Sequence, residues 1–107
     1  MNNKIRTYLG FCKKSGKLTI GINEIEKRTK KIYLIIIEKA IAENTFKKMV
    51  KKAQEKSCPL LICNASLTEY VCEECKTVAI GNKSLADAIT ENIDGDFSLY
   101  QGGLIDG

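Results

Sequence analysis

The stretch Lys31-Ile32-Tyr33-Leu34-Ile35-Ile36-Ile37-Glu38 decides the fold class that this sequence predicts. Its apolar run, from Ile32 to Ile37, lies between charged residues and shows no alternation of apolar and polar side chains. Continuous apolarity over such a length is typical of a strand that is buried on both faces of its sheet. We therefore expect a central strand here, covered on each face by other elements.

Helices and short strands alternate along the chain on both sides of this run. Apolar residues at positions 5, 8, 9 and 12 follow the i, i+3, i+4, i+7 spacing of a helix with one buried stripe. The predicted helices cover about residues 3–14, 22–29, 44–56, 66–72 and 83–92, with Asn44 as the N-cap of the third. The other predicted strands cover residues 18–20, 59–63 and 77–80. This order indicates an α/β protein, a three-layer α/β/α sandwich around a four-stranded mixed sheet.

The composition predicts one compact domain and a short extension. At 107 residues the chain has the size of a single domain. All seventeen basic residues and ten of the thirteen acidic ones precede Asp94, so residues 1–93 carry a net charge of +7. Residues 94–107 hold the other three acids and four of the eight glycines. We interpret residues 1–93 as a basic body suited to a polyanionic partner, and residues 94–107 as an acidic, glycine-rich C-terminal extension.

Several classes of protein are disfavoured. The longest apolar run has six residues, against the roughly 20 of a membrane-spanning helix, and the N-terminus lacks the features of a secretion signal. A cytoplasmic protein without a membrane partner is expected, and its five cysteines are then free thiols rather than a disulfide framework. Histidine is absent, and neither a P-loop nor a dinucleotide-binding fingerprint occurs. We therefore expect no enzyme, no cofactor and no metal ligands.

The second predicted helix has an unusual polar face. On a helical wheel, the side chains of residues 23, 24, 27 and 28 share one side, opposite the apolar side that would face the sheet. Gly21 allows a sharp turn before this helix, which leaves the first-turn N–H groups free for phosphate oxygens. Asn23 donates and accepts hydrogen bonds, Glu24 only accepts and Lys27 only donates. A set of donors and acceptors of this kind can distinguish the hydrogen-bonding edge of one base from that of another. On composition alone, an ordinary capped first turn with a solvated lysine explains the same residues.

Two stretches resemble the ribosomal kink-turn-binding (L-seven-Ae / L-thirty-e) proteins, especially their small bacterial YlxQ and YbxF relatives. The first is Leu9-Gly10-Phe11-Cys12-Lys13-Lys14-Ser15-Gly16-Lys17-Leu18-Thr19-Ile20-Gly21-Ile22-Asn23-Glu24-Ile25-Glu26-Lys27. It contains the patterns L-G-x-x-x-[KR]-x-G-K-L-x-x-G and G-x-N-E-x-x-K. The second, Glu43-Asn44-Thr45 followed by Lys47 and Lys48, is similar to the family's E-N-T-x-K-K segment. The similarity runs from about Ile5 to Ile93.

The resemblance implies a three-layer domain that binds RNA without catalysis. In that family the Asn, Glu and Lys of the motif contact tandem sheared G·A pairs of a kink-turn, and an apolar loop before the last strand covers an extruded nucleotide. Transferred to this chain, the loop is Glu73 to Val78, where Glu73 and Glu74 would repel phosphates. The predicted RNA-binding residues are Lys17, Gly21, Asn23, Glu24, Lys27, Arg28, Lys76, Thr77 and Val78, and the predicted partner is a kink-turn-like RNA such as ribosomal RNA.

Two other interpretations remain open. We expect a monomer. The domain could instead be a protein-interaction module with a weakened RNA surface, which dimerises through the apolar residues of the extension: Phe97, Leu99, Tyr100, Leu104 and Ile105. Alternatively, Cys72-Glu73-Glu74-Cys75 could carry thiol chemistry or half of a zinc site. The lysines of the third helix, from Lys47 to Lys52, are interpreted as a solvated face rather than as phosphate contacts.

Overall fold

The apolar run at residues 32–37 supplies the central strand of a five-stranded mixed sheet in the computed structural model, which describes residues 2–101. The strand order is β1-β4-β2-β3-β5. Strand β2 is parallel to β3, and the pairs β1/β4, β2/β4 and β3/β5 are antiparallel. The strands are β1 (Leu18–Ile20), β2 (Leu34–Glu38), β3 (Leu60–Cys63), β4 (Thr77–Ile80) and β5 (Phe97–Leu99).

Within residues 2–101, one helix precedes β1 and four helices connect the successive strands. They are α1 (Asn3–Lys14), α2 (Ile22–Lys27), α3 (Glu43–Lys56), α4 (Leu67–Val71) and α5 (Lys83–Glu91). Asparagine side chains begin two of them: Asn2 accepts a hydrogen bond from the N–H of Ile5 at 3.0 Å, and Asn82 accepts one from that of Leu85 at 2.9 Å. Among the helices of residues 2–101, none combines the length and the apolar composition needed to cross a bilayer.

The central strand is buried on both faces, which confirms the prediction from its continuous apolarity. Leu34 and Ile36 belong to one apolar cluster, formed with residues of α1, α4 and α5. Ile35 and Ile37 belong to a second cluster, formed with residues of α2 and α3. Successive side chains of a strand point to opposite faces of its sheet, so the two clusters lie on opposite sides of β2.

The sheet has five strands, so the prediction of four was wrong. The additional strand, β5, pairs with β3 in the register Leu61 to Leu99 and Cys63 to Phe97. A turn at Asp94-Gly95-Asp96 brings it there, with the N–H of Phe97 donating to the Asp94 carbonyl at 3.0 Å. The glycine and the two aspartates that indicated an extension are the residues of this turn. Part of the predicted extension is therefore a strand of the sheet, while residues 102–107 lie outside the described part.

Two predicted helix boundaries are corrected. Helix α2 ends at Lys27 rather than near Thr29, because Arg28 is extended with φ −69° and ψ 123°. Helix α3 begins at Glu43 after Ala42, so Asn44 lies in its first turn and is not the N-cap. The central strand also begins at Leu34, two residues later than the apolar run. Tertiary hydrogen bonds around Arg28, described below, explain the first of these shifts.

Candidate nucleic-acid interface

Gly21 sets the direction in which α2 leaves the sheet. It links β1 to α2 with φ 93° and ψ 147°, a conformation that L side chains rarely adopt. Its N–H donates to the Thr77 carbonyl at 3.0 Å, which joins this turn to the start of β4. Space around Gly21 is open, since a Cβ placed there would meet nothing within 4 Å. A ligand can therefore approach the backbone closely at this point.

The three polar residues predicted to read bases are all exposed. Asn23, Glu24 and Lys27 lie on α2, whose buried residue, Ile25, faces the second core cluster. The Lys27 Nζ lies 3.7 Å from a Glu24 carboxylate oxygen, and their side chains are 76% and 64% exposed. An ion pair this exposed contributes little to stability. Either side chain can therefore leave this ion pair and bind a ligand instead.

A cleft of about 300 Å³ adjoins the start of α2. It brings Gly21 together with the N-terminal end of α3 and the beginning of β4, where Lys76 is exposed. The N-caps of α2 and α3, Gly21 and Ala42, provide no side-chain hydrogen bond to the first turn of either helix. First-turn N–H groups and the Lys76 ammonium group suit a phosphate, and the apolar lining suits a base. The cleft therefore suits a nucleotide. The lining residues are Gly21, Ile22, Ile41, Ala42, Thr45, Lys76 and Thr77.

A second cleft, of about 360 Å³, lies beside the C-terminal half of α2. Its lining combines three cationic side chains with two threonines and the Glu24 carboxylate. The lining residues are Thr19, Glu24, Lys27, Arg28, Thr29 and Lys30. Cationic and hydroxyl groups of this kind are common contacts of nucleic-acid phosphates. Clefts therefore adjoin both the start and the C-terminal half of α2.

Arg28 is held in place by the protein itself. Its Nε and Nη2 donate to the Lys31 carbonyl at 3.2 and 2.9 Å, and its Nη1 donates to the Thr19 hydroxyl at 3.3 Å. Gly81 leaves room for the guanidinium, since a Cβ there would collide with Nη2. The Arg28 side chain thus has a structural role, which is to fix the segment after α2.

Lys17 and Lys76 are exposed at opposite ends of this region. Lys17 precedes β1, and its backbone donates to the Cys12 carbonyl and accepts from the Gly81 N–H, both at 2.8 Å. The Lys76 carbonyl accepts from the N–H of Glu38 at 2.9 Å. In both residues the backbone is fixed while the ammonium group reaches solvent. Only Lys76 shares a cleft with Gly21.

The side chains of two predicted contacts, Thr77 and Val78, are buried, although Thr77 also lines the cleft beside Gly21. Both lie in β4, which pairs with β1 on one side and β2 on the other. Their side chains are buried, with Thr77 3% and Val78 0% exposed. The loop that was expected to end at Val78 therefore ends at Lys76. What Thr77 offers the site is its backbone carbonyl, bonded to Gly21.

The acidic loop after α4 is partly neutralised. Glu73 pairs with Lys13 of α1 at 3.2 Å, and the same ammonium group donates to the Val71 carbonyl at 3.2 Å. Glu74 is exposed. Because Lys13 offsets one of the two carboxylates, the repulsion of phosphates expected at this loop is reduced.

Lys52, which was interpreted as part of a solvated face, and Lys56 of the same helix bind backbone carbonyls at the end of α2 and in the segment after it. Lys52 is only 8% exposed, and its Nζ donates to the carbonyls of Glu26 and Arg28, both at 3.1 Å. Lys56 donates to the Thr29 carbonyl at 2.9 Å. Sequence reasoning missed this role because backbone carbonyls leave no mark in the amino-acid pattern. The spacing of four residues puts both lysines on one helix face, but the exposed residues Lys47 and Lys51 have the same spacing, so it did not distinguish them.

The structure disfavours thiol chemistry at the Cys72/Cys75 pair. Cys72 is exposed, but Cys75 is buried, and desolvation raises the pKa of its thiol to about 11. Reactive cysteines need the opposite shift, because the thiolate is the nucleophile and the metal ligand. Within residues 2–101, no group of three or more His, Cys, Asp or Glu side chains is placed to hold a metal ion.

Two of the three described apolar residues that were proposed to dimerise the extension pack within the fold. Phe97 is 3% exposed and packs against Tyr70, with ring centroids 5.0 Å apart. Tyr100 packs against Phe46, with centroids 5.2 Å apart. Leu99 is 43% exposed. Leu104 and Ile105 lie outside the described residues. Phe97 and Tyr100 thus contribute to the fold rather than to a free surface.

Comparisons with known proteins bear on the fold alone. No family model matches the sequence, and no curated protein matches it. Among solved structures, the chain is similar to a protein of unknown function from Bacillus halodurans, with a TM-score of 0.69 and 15% sequence identity. The match covers 82% of this chain and 94% of that one. Nearly the whole length of that protein therefore shares the α/β fold of this chain.

Proposed function

We propose that this protein binds RNA and recognises a bent internal loop with sheared G·A pairs through the N-terminus of α2. The observation that carries the proposal is the exposed set Asn23, Glu24 and Lys27 beside Gly21, whose left-handed backbone leaves the start of α2 open. Membership of the kink-turn-binding family, which the motifs suggest, belongs to the same proposal.

The chemistry of this surface favours sheared G·A pairs over phosphate alone. A Glu24 carboxylate accepts hydrogen bonds only, so it suits the exposed amino and imino groups of guanine. Asn23 can donate and accept at one edge, and Lys27 donates to the acceptors of a neighbouring base or phosphate. Sheared pairs present such edges together, whereas Watson–Crick pairs use them internally. The clefts that adjoin α2 would take an extruded nucleotide and a flanking phosphate.

The layered architecture is part of the proposal. We infer a three-layer α/β/α arrangement, with α1, α4 and α5 on one face of the sheet and α2 and α3 on the other. Support comes from the two apolar clusters that meet opposite faces of β2. This arrangement puts α2 at the sheet edge next to β1, where RNA can reach it.

A titration with two RNAs tests the function. One is a kink-turn RNA, and the other is the same RNA with its G·A pairs replaced by Watson–Crick pairs. At low and at physiological salt, we expect tighter binding of the kink-turn RNA, with the preference persisting while both affinities fall as salt rises. Equal affinity for the two RNAs at both salt concentrations would contradict the proposal.

Glu24 and Glu26 provide a matched pair of variants on one helix. Glu24→Ala and Glu26→Ala remove the same charge, but Glu26 lines a cleft with residues of α3, away from the proposed reading face. Glu24→Ala should reduce the preference for the kink-turn RNA by about 1–3 kcal/mol, and Asn23→Ala by a similar amount. Glu26→Ala should keep the preference. If both glutamate variants behave alike, Glu24 is not reading a base.

A further inference from the structure

The C-terminal end of α2 is held by two lysines of α3. Lys52 donates to the carbonyls of Glu26 and Arg28, and Lys56 donates to the carbonyl of Thr29. The last carbonyls of a helix have no partner within it and carry the negative end of its dipole. The Glu26 carbonyl belongs to α2, so its bond to Lys52 stabilises the helix end, while the bonds to Arg28 and Thr29 stabilise the bend that follows it.

All three donors of Lys52 are occupied. Besides the two carbonyls, its Nζ lies 3.4 Å from a carboxylate oxygen of Glu55. A lysine ammonium has three N–H groups, so none remains for a phosphate. The side chain is 9% exposed, and a buried charge without such partners would be strongly unfavourable. Lys52 is therefore a structural anchor and not a nucleic-acid contact.

Helix α2 depends on contacts of this kind. It has six residues, far fewer than the roughly 12–15 that an isolated helix needs to be even marginally stable. Its N-terminus lacks a side-chain cap, and its one buried residue is Ile25. The open N-terminus is the part proposed to meet RNA, so the orientation of the helix has to be fixed from its other end.

We propose that Lys52 and Lys56 are positioning residues for the RNA-reading face, a pair called here the α2 clamp. By holding the carbonyls of Glu26, Arg28 and Thr29, the α2 clamp keeps the reading face in a binding-ready arrangement before RNA arrives. Preorganisation of this kind increases affinity because less ordering is needed on binding. The inference rests on the proposed RNA-binding function for its consequence, but its structural part can be tested without RNA.

The test is amide hydrogen exchange on the RNA-free protein, combined with the two-RNA titration. Lys52→Met keeps the length of the side chain and removes its donors. We expect exchange of the amides from Ile25 to Arg28 to accelerate about ten-fold, while those of α1 and β2 keep their rates. The preference for kink-turn RNA should fall about ten-fold, with an unchanged salt dependence because no phosphate contact is lost.

Lys51→Met is the matched control. Lys51 is the exposed neighbour of Lys52 on α3, so this variant should leave exchange in α2 and the RNA preference unchanged. Lys56→Met, at a more exposed position with one backbone contact, serves if Lys52→Met does not fold, and should accelerate the same amides more weakly. Unchanged exchange in α2 in the folded lysine variants overturns the α2 clamp. Absence of RNA preference in the wild type instead contradicts the proposed function, and the exchange result still decides the clamp.

Discussion

Lysine illustrates at the level of single residues what the sequence could and could not predict. Lys27 and Lys52 look alike in the sequence, since each is one of several basic residues on a predicted helix. The prediction that Lys27 is exposed beside Asn23 and Glu24 followed from the wheel position and is confirmed. The burial of Lys52 could not be predicted, because its partners are backbone carbonyls of a helix whose end was itself placed two residues too far along.

Substitutions at Gly21 and Gly10 distinguish two effects of an added side chain on stability: backbone strain and helix propensity. A Cβ at either position would meet nothing within 4 Å, so neither substitution creates a clash. Gly10 lies inside α1, where alanine is the better helix former, while Gly21 has φ 93°. We expect Gly10→Ala to raise the free energy of unfolding by about 0.5–1 kcal/mol, and Gly21→Ala to lower it by about 1–3 kcal/mol. Urea unfolding measures both. Equal effects would mean that the backbone at Gly21 is not held in the left-handed region.

At the level of elements, the strongest signals were apolar patterns long enough to have a period. They identified β2 from its continuous run and α1 from its stripe. Strand β5 was missed because its three residues follow Asp94-Gly95-Asp96 and precede further glycines, a composition that indicated an extension rather than a strand. Val78 was assigned to the interface because the resemblance places a loop there, whereas pairing with both β1 and β2 buries it.

Strand β5 offers a prediction that separates a strand of the sheet from an appended tail. Phe97 and Leu99 point to the same face of the strand, but only Phe97 is packed, against Tyr70. Phe97→Ala should lower the free energy of unfolding by about 3–5 kcal/mol, as expected for a core phenylalanine. Leu99→Ala, at a position 43% exposed, should lower it by less than about 1 kcal/mol. Similar small losses for both variants, measured by urea unfolding, would mean that residues 94–101 are not part of the cooperative fold.

At the scale of the whole molecule, buried thiols make the free energy of unfolding depend on pH. Burial raises the pKa of Cys12, Cys58, Cys63 and Cys75 from 9.0 to about 11. These residues are distributed over both apolar clusters, so the effect belongs to the entire core. Well below pH 9 the thiols are protonated in both the folded and the unfolded state, and they make no pH-dependent difference. Between pH 9 and 11 the unfolded chain loses protons that the folded protein retains, which favours unfolding.

We therefore expect the free energy of unfolding to fall as pH rises from 9 to 11 under reducing conditions. Each thiol that is ionised only in the unfolded state contributes a slope of about 1.4 kcal/mol per pH unit. Cys12→Ala should make the slope shallower by one thiol, whatever it does to stability at pH 7. Urea unfolding at pH 8 and pH 10 supplies the comparison. A slope unaffected by Cys12→Ala would mean that water reaches the core around α1, and that the two clusters are less tightly packed than their burial indicates.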